Sequence, residues 1–174
     1  MTATGDRLRL PGGASFVVRK SAAATGGERV ELEITVPPDA AGPPPHFHPH
    51  QEEQWQVLAG TLEVQVDGNW RTLREGESAS IPAGHVHTLR NRTKDDVRVL
   101  DVHIPALDFQ DYMEDLHRLT EAGKITSLRS PRSLIYLAMV LREHRTTQLT
   151  ASRLQRIAES ALAGLGKLLG MRAR

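Results

Sequence analysis

Two runs constrain this chain more than any other feature: GPPPHFHPHQEEQWQVLAG from Gly42 to Gly60, and GESASIPAGHVHTLRN from Gly76 to Asn91. Both are short, β-prone and punctuated by proline and glycine, and together they carry His46, His48, Glu53 and His87. Side chains on a strand alternate faces, so His46 and His48 share one face and Phe47 takes the other. Glu53, five residues after His48, opens a second strand-like run to Leu58, and the turn between them can bring its carboxylate back. His87 arrives from far along the chain, after a Pro82-Ala83-Gly84 turn in which proline fixes φ and glycine tolerates a tight bend. Three imidazoles and one carboxylate suit Fe(II), Mn(II), Ni(II), Cu(II) or Zn(II). On a six-coordinate ion, four such ligands would leave the remaining positions for water, dioxygen or substrate.

The same parity sorts the neighbours. Glu52 rivals Glu53 for the carboxylate position, and the six-residue gap to Gly60 favours Glu53. His50 shares the parity of His46 and His48, but Pro49 and the acidic turn take the chain out of the strand and into solvent. His85, beside Gly84, reads as a structural or solvated turn residue. If Glu53 faces a metal, Trp55 and Val57 face inward with it, and Leu89 follows His87. Trp55 could touch a substrate or simply fill the core. His103, on the alternating run Val97, Val99, Asp101, His103, reaches either the pocket or the rim. These residues, Trp55, Val57, Leu89 and His103, are the candidate pocket walls. His117 and His144 read as helix-surface residues, and no general base stands apart from the ligand set.

The texture of the chain changes near Pro105. Before it come short alternating runs at 14–20, 28–36, 61–66, 70–73, 78–81 and 97–104, separated by turns such as Asp67-Gly68-Asn69. Many short strands at this spacing predict a sandwich or barrel. After Pro105 the period moves to about 3.6. Asp108 can cap a helix to about Glu121, Ser130-Pro131 can open a second to about His144, and Thr150 can cap a third to about Leu169. The stripe on the third is Leu154, Ile157, Ala158, Ala161, Leu162, Leu165, Leu168 and Leu169, and packing is the expected use for it. Residues 1–105 are therefore expected to form a β-barrel domain. Residues 106–174 are expected to form a helical extension packed on the barrel, across a dimer partner or over the pocket mouth. A membrane-surface role for the basic residues Arg153, Arg156, Lys167, Arg172 and Arg174 is the lesser reading.

The two runs resemble the paired motifs of the cupin superfamily, small β-barrel metalloproteins. The first motif is matched by His46-Phe47-His48, Glu53 and Gly60, although Gly42 lies three rather than about five residues before His46. The second is matched at every position by Gly76, Pro82, Gly84, His87 and Asn91, and 15 residues separate Gly60 from Gly76. The resemblance implies a mainly β fold, a jelly-roll barrel of cupin type followed by about three helices. It implies His46, His48, Glu53 and His87 as ligands of one divalent ion, and oxygenase, isomerase, cyclase or decarboxylase chemistry, since fold does not fix function. Oxygenase or isomerase chemistry on a small organic molecule is the favoured expectation. A metal-dependent binding or sensor protein without turnover is the alternative. Homodimerisation is a habit of the family.

Composition narrows the rest. A net charge of +1 gives no electrostatic case for nucleic acid, and the excess of arginine over lysine, 18 to 4, reads as a record of genomic base composition rather than of phosphate binding. There is no cysteine, which removes disulfides and thiol chemistry. No apolar run nears the ~20 residues of a membrane span, and the start of the chain lacks the apolar stretch of a signal peptide. A cytoplasmic protein is expected.

Overall fold

A computed structural model describes residues 6–127 and 130–173. Arg174, counted above among the basic residues of the tail, lies outside them, as do the first five residues of the N-terminal stretch. The alternating segments pair into two antiparallel sheets. The first contains, in spatial order, β1 (Leu8–Arg9), β2 (Ser15–Lys20), β3 (Val30–Val36), β10 (Val97–Ile104), β5 (Glu52–Ala59) and β8 (Ser78–Ile81). The second contains β11 (Leu149–Thr150), β4 (His46–Phe47), β9 (His87–Arg90), β6 (Thr61–Val66) and β7 (Asn69–Arg74). The architecture is a jelly-roll barrel with a C-terminal helical extension.

Register decides which side chains meet inside. β3 and β10 pair Val36 with Val97, Ile34 with Val99, Leu32 with Asp101 and Val30 with His103. β10 and β5 pair Val99 with Val57, Asp101 with Trp55 and His103 with Glu53. Because strand side chains alternate, one inner face is apolar at the Val97 end and polar at the His103 end. Val36, Trp55, Val57, Leu62, Val64, Ile81, Val97 and Val99 form the apolar half of the core. On the outer face of the first sheet, Glu33 is bridged by Arg19 and Arg98.

Two motif residues hold this shape together. Gly42 has φ of 72°, and a Cβ there would lie 1.8 Å from the Leu89 carbonyl oxygen, so only glycine lets the approach to β4 run against β9. Asn91 is fully buried, donates to the carbonyls of Val36, Pro37 and Asp95, and accepts from the Thr93 amide. It ties a loop whose main-chain groups would otherwise lack partners.

The helices are α1 (Phe109–Glu121), α2 (Pro131–Glu143) and α3 (Arg153–Leu168). Phe109, Tyr112, Met113, Leu116 and Leu119 of α1 bury with Phe16, Val18, Val30 and Leu32. Those strand residues share the inner face of the first sheet, beyond the reach of the second. The extension therefore packs as a continuation of the second layer rather than on the outside of the barrel. Gly166 sits so close to α2 that a Cβ would come within 2.6 Å of Met139 Sδ and 2.7 Å of Ile135 Cγ2.

Three expectations are corrected here. The third helix is capped by Ser152, whose side chain accepts from the Gln155 amide, and not by Thr150. Thr150 instead pairs with His46 in β11, so the tail lends a strand to the barrel. Most of the apolar stripe of α3 does not pack: Leu154, Ile157, Leu165 and Leu168 are exposed, while Leu162 is half-buried against the core. His144, read as a surface residue, is 0% exposed and lies between Asp108 and Asp115.

Candidate metal centre

The polar end of the barrel interior is built by facing pairs. His46 of β4 stands opposite His87 of β9, their ring centroids 4.4 Å apart. Glu53 of β5 stands opposite His103 of β10. His48 follows β4 by one residue, and its ring centroid lies 5.3 Å from that of His46 and 5.1 Å from that of His87. One nitrogen from each of His46, His48 and His87 falls within 4.8 Å of the others, and the same holds for ligand atoms of His48, Glu53 and His103. All five side chains are buried.

The carboxylate register resolves cleanly. Glu52 sits on the opposite face of β5, where it accepts from Gln54 and Ser80. Glu53 points inward, its Oε2 2.7 Å from His87 Nε2 and 3.5 Å from His48 Nε2. Its Oε1 accepts from the Trp55 indole N–H at 2.7 Å. Trp55 thus touches the site through its carboxylate. Val57, two residues on, lies in the apolar core, and Leu89 is half-buried against that core. His50 is exposed, and His85 pairs with Asp67 at the surface.

The tautomers are set by geometry. Nδ1 of His46 lies 2.9 Å from the Pro44 carbonyl, Nδ1 of His48 2.6 Å from the Thr147 carbonyl, and Nδ1 of His87 2.9 Å from the His85 carbonyl. A carbonyl oxygen can only accept, so each Nδ1 carries the proton and each Nε2 offers a lone pair. His48 Nε2, His87 Nε2 and Glu53 Oε2 are buried and make no aligned hydrogen bond. Such groups are costly to leave without partners, and a divalent cation would engage all three. The outward-facing bonds from Nδ1 to main chain are also the arrangement that fixes metal-binding imidazoles. His46, His48, Glu53 and His87 therefore form a group that could bind a metal.

Electrostatics fit that reading at His46, His48 and Glu53, whereas at His87 the facing carboxylate favours a proton while no ion is present. Burial, with His87 and His48 adding to it, holds His46 down to about 3, so it stays neutral. Burial likewise lowers His48 against the pull of Glu53. Burial would raise Glu53, but His48 and His87 outweigh it and keep the carboxyl well below its ordinary range. For His87 burial is overcome by Glu53, which raises it.

Sequence reasoning missed several neighbours. Asp101 is buried beside the site with Oδ2 3.3 Å from His103 Nε2, and burial lifts its carboxyl to about 6, with His103 opposing and Glu53 adding to the rise. Its parity with His103 was the available signal. Phe109 stacks on His103 at 3.4 Å between ring centroids, and Thr147 supplies the carbonyl on His48. Both close the site from the helical extension, and no local pattern marks either. Cavities of about 180 Å³ beside Gly13 and Ile125, and about 120 Å³ beside Arg145 and Arg156, lie away from the histidines.

Residues 32–103 match the family model described as the cupin domain. Mannose-1-phosphate guanylyltransferase of Escherichia coli is 39% identical over 77 residues, 44% of this chain and 16% of that protein. Over 90 residues the chain is 38% identical to the probable oxidoreductase patJ of Aspergillus clavatus, covering 48% of this chain and 28% of that one. The chain thus spans less than a third of either curated relative. A sugar phosphate isomerase of the cupin superfamily from Silicibacter pomeroyi superposes with a TM-score of 0.50 at 25% identity, over 57% of this chain and 70% of that one.

Proposed function

From the premise that this chain is a member of the cupin superfamily, with its cupin domain over residues 32–103, we propose that it is a metal-dependent enzyme acting on a small organic molecule. His46, His48, Glu53 and His87 would hold one divalent ion, and oxygenase- or isomerase-type chemistry is the reading we favour. The observation that carries it is the convergence of inward lone pairs: Nδ1-anchored imidazoles around a buried carboxylate oxygen without a hydrogen bond. A similar isomerase structure and a similar oxidoreductase sequence support the two chemistries.

When bound, the ion would supply Lewis acidity or a redox centre, according to its identity. The chain's own residues do the rest. Trp55 holds Oε1 of Glu53 so that Oε2 faces the imidazoles. Asp101, buried beside His103 and near Glu53, is a group that could hold a proton next to the ligand set. Phe109 covers His103 and keeps water out. Phe109, through His103, and Thr147, through His48, would bound the site from the helical extension.

The alternative is a metal-dependent small-ligand-binding or sensor protein without turnover, which the same buried group of His46, His48, Glu53 and His87 would serve. One experiment tests the metal assignment: elemental mass spectrometry of the untagged protein beside His87→Ala. About one equivalent of iron, manganese, nickel, copper or zinc, lost in the variant with the fold retained by circular dichroism, is the expected result. Full occupancy in the variant, or no metal after reconstitution, would remove the site.

A further inference from the structure

We propose that α3 is a self-association surface, through which two copies of this chain pair with their α3 helices antiparallel about a two-fold axis at Ala161. The helix is mounted with its polar side toward the protein. Arg156 donates to the carbonyls of Thr150 and Ala151, Glu159 accepts from the Thr150 hydroxyl, and Ala163 and Gly166 are buried. Its apolar side faces solvent: Leu154 is 79% exposed, Ile157 67% and Leu168 87%. Exposed leucines singly are ordinary, but a contiguous stripe on one helix face marks an interaction surface.

The order of residues along the stripe names the occupant. A two-fold axis requires that residue i meet residue j and j meet i. About Ala161, Leu154 meets Leu168 of the second copy, Ile157 meets Leu165, Ala158 meets Gly164 and Ala161 meets itself. Large residues face large ones at both ends, and the smallest face each other at the crossing, where the helices must come closest. A partner unrelated to this chain would not require such a palindrome, and neither would a lipid surface. One helix of ~24 Å is a small interface against the ~800 Å² per partner of a stable complex, so a dimer that dissociates on dilution is expected.

Sedimentation equilibrium of the full chain tests the proposal. A mass twice 19.2 kDa at high concentration is expected, and Ile157→Glu combined with Leu165→Glu, which brings carboxylates face to face, should leave the monomer with an unchanged circular dichroism spectrum. The natural absence of cysteine allows a sharper check. Ala161→Cys should form a disulfide-linked dimer under mild oxidation, because a residue on the axis meets its own copy, whereas Ser160→Cys, turned away from the seam, should not. A monomeric wild type, a dimer that survives the double glutamate variant, or equal crosslinking at both cysteine positions would overturn the proposal. So would a monomer that co-floats with anionic vesicles, which would make lipid the occupant.

Discussion

Nδ1 of His48 donates to the main-chain carbonyl of Thr147 across 2.6 Å, joining a barrel histidine to the helical extension 99 residues later. The bond fixes the tautomer of a candidate ligand from outside the barrel. Phe109 adds a second contact of the same kind through His103. Half of the polar site is therefore assembled by the strands and finished by the tail.

Truncation after Ile104 should consequently yield aggregated protein. It would uncover Phe16, Val18, Val30 and Leu32, which bury against α1 and α2, and strip β11 from the edge of β4. Each such side chain contributes roughly 1.5–3 kcal/mol when buried. Solubility and heteronuclear NMR dispersion of the fragment measure the outcome. A soluble, well-dispersed barrel would show that the tail is only a lid.

Trp55→Phe should weaken metal binding while leaving the fold intact. The ring still fills the core, but Oε1 of Glu53 loses its 2.7 Å donor and the carboxylate is free to rotate. Loss of a hydrogen bond behind a ligand commonly costs about 10–100-fold in affinity. Competition titration against a chelating dye reads this directly, and an unchanged affinity would reduce Trp55 to core filling.

Glu53→Gln should lower affinity far more than Glu52→Gln. Glu53 faces the imidazoles, whereas Glu52 serves Gln54 and Ser80 on the other face of β5. Equal losses in the same titration would contradict the register.

The barrel was legible because period-two alternation and turn residues are local: the runs 61–66, 78–81 and 97–104 coincide with β6, β8 and β10. His46, His48, Glu53 and His87 were legible together because strand parity and spacing place them. Thr147 and Phe109 were not, since a contact across 99 residues leaves no periodic trace. His144 was misread because a histidine near a helix end has no sequence mark of burial. The α3 stripe was read correctly as apolar and assigned to packing, because periodicity tells which residues share a face but not which way the face turns.

Acid should destabilise the outer sheet face through Glu33. The hydrogen bond from Arg98 lowers its pKa, burial opposes this, and Arg19 lowers it further. A folded-state pKa below the unfolded one contributes stability that is complete above the unfolded value and is lost as pH falls through the folded value. Both arginines are about half exposed, 51% and 48%, so the effect is on the order of 1 kcal/mol or less. Glu33→Gln should flatten the fall in stability as pH drops through and below the ordinary carboxylate range, measured by urea unfolding. An unchanged acid slope would show the pairs to be inert.

His144→Ala should couple stability to the metal centre. His144 Nδ1 lies 2.7 Å from Asp108 and Nε2 3.2 Å from Asp115, while the Thr147 hydroxyl also donates to Asp108 at 2.6 Å. The Thr147 amide donates in turn to the His144 carbonyl. Removing the imidazole takes a partner from both carboxylates, at a cost of about 2–4 kcal/mol. It also loosens the turn whose carbonyl holds His48. A lowered Tm accompanied by weaker metal binding is expected, with the midpoint from thermal unfolding and the affinity from dye competition. His144→Ala that loses Tm but keeps full affinity would show that the turn holds itself in place, and that the clamp serves packing of the tail alone.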